Sequence, residues 1–391
     1  MPDNQTTPRE RLLAAINCEA QEKAPLSFML YKGLQVSSES YADFINSQLA
    51  LGLDPYVMIP PRPPVVVNNH YNLHGLPVSF APEVETREWV EEMAGEADPI
   101  LAKEYHTPEG VLRAEVRQTA DWRWGNHVPI FDDYISPRSR RFLVNTEKDL
   151  DALKYLLVPP TDAEIAANEA LSRPIIDLAQ EKDLLLAGGW GVGADMLGWI
   201  FGLENMVFAS VDRPGFLEEM LGMIAAWNHR RMDVLLAMGV DLYIKRAWYE
   251  TCNFWSPRSF REFLFPILKS DADRAHAAGA KFGYIVTSKT MPLLEQYVEA
   301  GVDVLIGADP LEWDLAKAQE ILKGKVCLWG GVNGQLTVER GTESEVREAV
   351  RKAMGTLSGS PFILSPVDNV RTDDEISRRN VRALIDEWRG Y

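Results

Sequence analysis

From residue 184 onward the chain alternates short, continuous apolar runs with longer amphipathic stretches, and this rhythm limits what it can fold into. The apolar runs are Leu184–Gly188, Val240–Lys245, Lys281–Val286, Val302–Ile306, Val326–Trp329 and Phe362–Leu364. Between and after them come helical patterns at Pro214–Met238, Ser256–Ala278, Met291–Ala300, Leu315–Leu322, Glu343–Leu357 and Asp374–Trp388. Strand–helix alternation at this spacing implies a parallel sheet. Parallel strands are covered on both faces and so read as unbroken apolar runs. Leu26–Tyr31 and Tyr56–Ile59 supply two more strands, and eight such units close a (β/α)8 barrel. A doubly wound sheet is the rival, but the glycine fingerprint at its first strand–helix turn is missing. Residues from about 60 to 165 break the rhythm with Pro60-Pro61-Arg62-Pro63-Pro64, several tryptophans and isolated strand-like pieces such as Val111–Gln118. The expectation is one domain over residues 1–391, with this stretch as an insertion folded over the barrel mouth.

Bulk properties narrow the function. A formal net charge of −17 argues against nucleic acid and anionic membranes as partners, because both need clustered Lys and Arg. Cys18, Cys252 and Cys327 are far apart and form no CxxC, which points to a reducing, cytoplasmic setting without disulfides. The polar N-terminus lacks the apolar core of a signal peptide, and no run of 18 apolar residues is present.

Several segments carry a family likeness. Thr7-Pro8-Arg9-Glu10-Arg11-Leu12-Leu13-Ala14-Ala15-Ile16 resembles the opening helix of the uroporphyrinogen decarboxylase superfamily, which includes corrinoid-linked methyltransferases. Trp255-Ser256-Pro257-Arg258-Ser259-Phe260-Arg261-Glu262-Phe263, followed by Pro266, is similar to its "SPxxFREFxxP" helix. His276-Ala277-Ala278-Gly279-Ala280-Lys281 is similar to its "HAxGxK" lead into a strand. Ile363-Leu364-Ser365-Pro366 and Asn380-Val381-Arg382-Ala383-Leu384 match its last strand and helix. The resemblance implies a (β/α)8 barrel acting on a small molecule.

Two departures shape the functional expectation. Zinc-dependent methyltransferases of this superfamily carry HxCG after the "HAxGxK" strand. Here Tyr284-Ile285-Val286-Thr287-Ser288 stands there, with Ile285 and Thr287 at the ligand positions. The third ligand, a Cys near the last strand, is replaced in Pro366-Val367-Asp368-Asn369. No metal site is therefore assigned. The arginine-rich segment of true uroporphyrinogen decarboxylases is replaced by Leu30-Tyr31-Lys32-Gly33-Leu34.

Catalytic groups of such barrels sit where strands meet the following loops. That rule selects Glu250 and Asp309 as catalytic acids, with His127 of the insertion as a third candidate. Arg246, Trp248, Trp190, Tyr284, Lys289, Asn333 and Asp368 are expected to bind substrate. Each has a plainer alternative: Asp309 a helix cap, Glu250 a rim ion pair, Lys289 a solvated loop residue. Thr287, Ser288, Asn369 and Arg371 share strand-end positions. His276 reads as structural, the His70/His74 pair as a weak metal site, and Gly188, Gly189, Gly191 and Gly193 as close backbone packing.

The leading expectation is a methyltransferase that demethylates a small methoxylated, aromatic compound and passes the methyl group to a corrinoid (cobalamin) protein. Trp122, Trp124, Trp190, Trp248 and Trp255 give the mouth segments their aromatic character. A decarboxylase of an aromatic or pyrrolic acid and a non-catalytic ligand-binding barrel are the alternatives. A homodimer is compatible with all three.

Overall fold

The computed structural model describes residues 6–61, 79–286 and 288–391. The strands, in chain order, are β1 (Tyr56–Ile59), β2 (Glu85–Glu91), β3 (Ile100–Thr107), β4 (Gly110–Arg117), β5 (Ser139–Arg141), β6 (Leu185–Gly191), β7 (Leu242–Arg246), β8 (Lys281–Ile285), β9 (Val304–Ala308), β10 (Cys327–Asn333) and β11 (Phe362–Val367). They form a curled seven-stranded parallel sheet, ordered β1-β6-β7-β8-β9-β10-β11, and a four-stranded antiparallel sheet, β2-β3-β4-β5. The α/β alternation expected from the sequence is thus present, and the stretch that breaks it holds the second sheet.

The expected strand at Leu26–Tyr31 is reduced to one parallel bridge between Leu26 and Leu364. The reason is local. The Leu26 amide donates to the Asp54 carboxylate, and the Met29 amide donates to Ser365 Oγ. Side chains have taken partners that a regular ladder would draw from backbone. The Asp54 amide still donates to Leu26 O and the Ser27 amide to Leu364 O, so this segment reaches toward both edges of the curled sheet.

Alternation along the strands separates two apolar layers. Leu185, Ala187, Leu242, Ile244, Ile285, Ile306, Trp329 and Ile363 gather inside with Leu12, Ala15 and Ile16 of the N-terminal helix. Their chain neighbours Leu186, Tyr243, Phe282, Tyr284, Leu305, Leu328 and Leu364 face the outer helices. The helix Pro8–Ile16, opened by a capping box between Thr7 and Glu10, lies beneath the strand starts. Arg9 holds Asp241 just before β7, and Arg11 holds Asp54 just before β1.

Ser256 caps the helix that follows β7, with Pro257 at its first position. A π-helical turn at Phe260–Leu264 interrupts the expected continuous helix before Phe265–Ala277 resumes. His276 accepts the structural role expected of it, pairing with Asp303. Among the described residues no helix is long and apolar enough to cross a membrane.

Candidate active site

The tandem Lys245-Arg246 ends β7, and strand alternation sends the two side chains to opposite faces. Arg246 turns toward the mouth and is nine-tenths buried. Its Nη2 donates to both oxygens of Asp133, at 2.7 and 2.8 Å. Its Nε stands 3.0 Å from Asp195 Oδ2, an ion-pair contact too oblique for a hydrogen bond. The guanidinium carbon lies 3.9 Å from the ring centre of Trp248 and 4.8 Å from that of Trp199. Asp133 also accepts from Trp199 Nε1 and from Tyr249 OH. It belongs to the stretch that carries the antiparallel sheet, so that stretch reaches the strand ends directly.

Asp195 lies just past the glycine-rich turn after β6 and is fully buried. It accepts from the Trp248 and Tyr249 amides. Burial raises its pKa to about 6 against the pull of Arg246, and Glu250 adds repulsion. In return, Glu250 Oε1 accepts from the Ala194 amide at 2.8 Å. The turn after β6 and the loop after β7 therefore clasp each other through two carboxylates. This clasp fixes the backbone that presents Arg246 and Trp248.

Glu250 itself departs from expectation. Its Oε2 accepts from Tyr284 OH and lies 3.8 Å from Lys245 Nζ. Lys245 donates to Asp271, 2.8 Å away in the helix Phe265–Ala277. Asp271 also bonds His229 in the helix Pro214–Ala237. Glu250 and Tyr284 thus belong to a buried network behind the sheet, against the helical shell, and neither faces the mouth. A strand end sets a side chain's height, while its parity sets the face, and Glu250 lies in the loop where parity no longer applies. Burial works to discharge the Lys245 ammonium, but Asp271 and Glu250 outweigh it and hold its pKa above the ordinary lysine value. Burial likewise works to raise the Asp271 pKa, but Lys245 and His229 hold it below the ordinary carboxylate range.

The glycines of this turn are explained by contact, as expected. A Cβ on Gly189 would stand 2.5 Å from Ile244 O, and one on Gly193 would stand 2.1 Å from Glu250 Oε1. Gly193→Ala is expected to cost about 1–3 kcal/mol by overpacking, read as a lower denaturation midpoint. An unchanged midpoint would mean that Glu250 swings away freely.

Asp309 keeps its expected place after β9. Its Oδ1 accepts from the Leu311 amide, which is the capping role weighed against catalysis, and its Oδ2 accepts from Asn333 Nδ2 at 2.7 Å. Burial raises its pKa over the lowering effect of both bonds. Asn333 is pinned in turn by the Leu336 amide donating to its Oδ1. Asp368 follows β11, and burial raises its pKa against Arg371 and Arg246, with Asp133 and Asp309 adding repulsion. Trp190, at the end of β6, packs with the inner apolar layer.

Two other expected residues go elsewhere. His127 bonds Glu88 of β2, which also pairs with the buried Lys103 of β3. Its interactions are those of the antiparallel sheet, not of the group around Arg246. Lys289 is exposed and stands 3.8 Å from Glu312. Its plainer reading as a solvated loop residue fits this position. Thr287, His70 and His74 lie outside the described residues.

Ile285 is packed in the inner apolar layer. Among the described residues, no three His, Cys, Asp or Glu side chains are grouped to hold a metal ion. Asp133, Asp195 and Lys245 were not singled out from the sequence. The tandem Lys-Arg at a buried strand end was a usable signal for Lys245, but none linked Asp133 to Arg246.

One solved structure shares the fold over its whole length. A methyltransferase from Methanosarcina mazei superposes with a TM-score of 0.61 at 16% identity, covering 99% of each chain. A B12-independent methionine synthase from Shewanella sp. W3-18-1 is similar over 54% of this chain and 63% of its own, with a TM-score of 0.41 and 11% identity. A D-psicose 3-epimerase from Clostridium cellulolyticum H10 is similar over 59% of this chain and 82% of its own, with a TM-score of 0.32 and 14% identity. No curated protein matches the chain. The sequence profile of uroporphyrinogen decarboxylase (URO-D) matches residues 136–391, a span that includes the strand ends and turns carrying Asp195, Arg246, Asp309 and Asp368, and the chain belongs to that family.

Proposed function

We propose that the protein is a methyltransferase that demethylates a small methoxylated aromatic compound, the acceptor being the corrinoid of a partner protein. The observation that carries this reading is Asp309. It is a carboxyl group made more basic by burial, held by two hydrogen bonds at a strand end. Cleaving an ether carbon–oxygen bond leaves an oxygen that must gain a proton. Asp309 supplies that proton as the methyl group departs, and the Leu311 amide and Asn333 keep its carboxyl oriented. Trp190 and Trp248 provide flat apolar walls for an aromatic ring. The corrinoid supplies the methyl-accepting nucleophile when the partner is bound, and no residue of this chain is assigned to hold it. Membership in the URO-D family and the fold shared with the Methanosarcina mazei methyltransferase support the general reaction class.

The decarboxylase reading is weaker on electrostatic grounds. It needs cations free to receive substrate carboxylates, yet Arg246 already faces Asp133 and Asp195, and Lys289 faces Glu312. The test is a panel of methoxylated aromatics with cob(I)alamin as acceptor. The expected result is stoichiometric phenol formation with consumption of cob(I)alamin. Carbon dioxide release from aromatic acids, without methyl transfer, would overturn the proposal.

A further inference from the structure

Three side chains from separate stretches of the chain converge on one carboxylate at the mouth. Arg246, at the end of β7, donates through Nη2 to both oxygens of Asp133, at 2.7 and 2.8 Å. Tyr249 OH, in the loop that follows, donates to Asp133 Oδ1 at 2.9 Å. Trp199 Nε1, in the helix Ala194–Ile200, donates to the same oxygen at 3.0 Å. A guanidinium flanked by neutral donors is the arrangement that receives the carboxylate of a ligand. Here the carboxylate is the chain's own, brought from 113 residues away.

Arg246 does not depend on Asp133 for a counter-ion. Asp195 Oδ2 already stands 3.0 Å from its Nε, on the other side of the guanidinium. A ligand carboxylate in the place of Asp133 would therefore meet the same donors and leave the charge balance as it is now. The place is within reach of solvent. Arg246 is nine-tenths buried, yet 39% of the Asp133 side-chain surface stays open.

The chain on both sides of Asp133 is anchored. Phe131 is fully buried, its ring 6.0 Å from that of Trp199 and 5.7 Å from that of Trp227. Asp132 is buried too, and accepts from Arg123 and from the Tyr134 amide. Ser136 Oγ donates to Gly198 O. An incoming anion would have to break these contacts together to push Asp133 aside, so Asp133 keeps its place.

We infer that Arg246, Tyr249 and Trp199 form a carboxylate subsite at the mouth which Asp133 fills from within, and that Asp133 thereby excludes carboxylated aromatics from the substrate position. The inference rests on the reading of the mouth as the methyl-transfer site and adds what that site refuses. Removing the Asp133 carboxylate opens the subsite. One charge-assisted hydrogen bond then gained by a ligand carboxylate is worth roughly 10- to 100-fold in affinity.

The experiment compares the whole protein with its Asp133→Ala and Asp133→Asn variants. Calorimetry follows the binding of 4-methoxybenzoate and 4-methoxybenzyl alcohol, and thermal denaturation is followed with and without formate. In the wild type the benzoate is expected to bind no more tightly than the alcohol. In Asp133→Ala it is expected to gain about 10- to 100-fold while the alcohol changes little. Formate should raise the melting temperature of this variant saturably and compete with the benzoate. Asp133→Asn removes the same charge but keeps the space filled, so it should show neither effect. Should Asp133→Ala fail to fold, Asp133→Ser takes its place, being smaller than aspartate and retaining one acceptor. Benzoate preferred by the wild type overturns the inference. So does a vacated variant that gains no benzoate affinity, or a gain equally large in Asp133→Asn, which would place the anion elsewhere. The expected binding pattern without methyl transfer from any methoxylated probe would leave this inference standing and sink the proposed reaction. Methyl transfer by a wild type that prefers the benzoate would do the reverse.

Discussion

Replacing Lys245 with methionine is expected to destabilise the protein by about 3–5 kcal/mol, the usual cost of breaking a buried ion pair from one side. Lys245, Asp271 and Glu250 are all almost entirely excluded from solvent. Methionine fills most of the volume, so the cavity term is small. What remains is the loss of the cation that compensates Asp271 at 2.8 Å and Glu250 at 3.8 Å. His229 would still bond Asp271, which limits the damage to that carboxylate. Adding Asp271→Asn to Lys245→Met should recover part of the loss, because the stranded charge is then removed as well. A urea titration of the single and double variants checks this. A single variant as stable as the parent would mean that the network is hydrated and its charges are screened.

The same groups set opposite dependences on pH. Asp271 binds its proton more weakly when folded, so its contribution is present above the unfolded carboxylate pKa and is lost as pH falls through the lower folded value. Lys245 binds its proton more tightly when folded, so its contribution holds below the unfolded lysine pKa and is lost as pH rises through the folded one. Asp195 opposes this pattern near neutrality. With its pKa raised to about 6, the folded state holds the proton more tightly than the unfolded state. Its contribution therefore falls as pH rises from about 4, the unfolded value, to about 6. A plot of stability against pH should decline over that window and flatten in Asp195→Asn.

How much of this was legible in the sequence differs between levels. The parallel sheet was legible because buried strands such as Val304–Ala308 carry no polar side chain and helix starts such as Ser256-Pro257 carry their own signals. The Leu26 segment misled because apolar composition says nothing of whether Asp54 and Ser365 will take its amides. At the site, the rule that strand ends face the mouth selected Arg246, Asp309, Asn333 and Asp368, of which the structure joins Asp309 to Asn333. Glu250 did not obey it, since it sits four residues beyond β7 and a loop can turn either way. Asp195 stood beside a glycine cluster that sequence reading explained by packing alone. Asp133 lies 113 residues from Arg246 in the chain, and a contact of that range has no local signature.

Asp309→Asn is expected to lower methyl-transfer turnover by ~10²–10⁴, the usual loss when a positioned general acid is removed. The variant tests the proton and not the shape, since the amide is isosteric with the acid. One complication is predictable. Asn333 presents its Nδ2 to Asp309 and is prevented from flipping by the Leu336 amide on its Oδ1. An asparagine at 309 has one carbonyl oxygen for two donors, Leu311 N–H and Asn333 Nδ2, so one of these bonds is lost. That loss should appear as a modest fall in stability, about 0.5–1.5 kcal/mol, and not as unfolding. The kinetic signature is separate from it. Because Asp309 acts in its protonated form, wild-type kcat is expected to decline as pH rises through its raised pKa. In Asp309→Asn that decline should disappear and leave a low, flat profile, with substrate affinity nearly unchanged. Glu250→Gln, which alters the shell-side network, should change stability and leave the shape of the pH profile intact. If Asp309→Asn instead keeps both the wild-type rate and its pH dependence, Asp309 is only the cap of the turn it holds, and the proton comes from another group at the mouth.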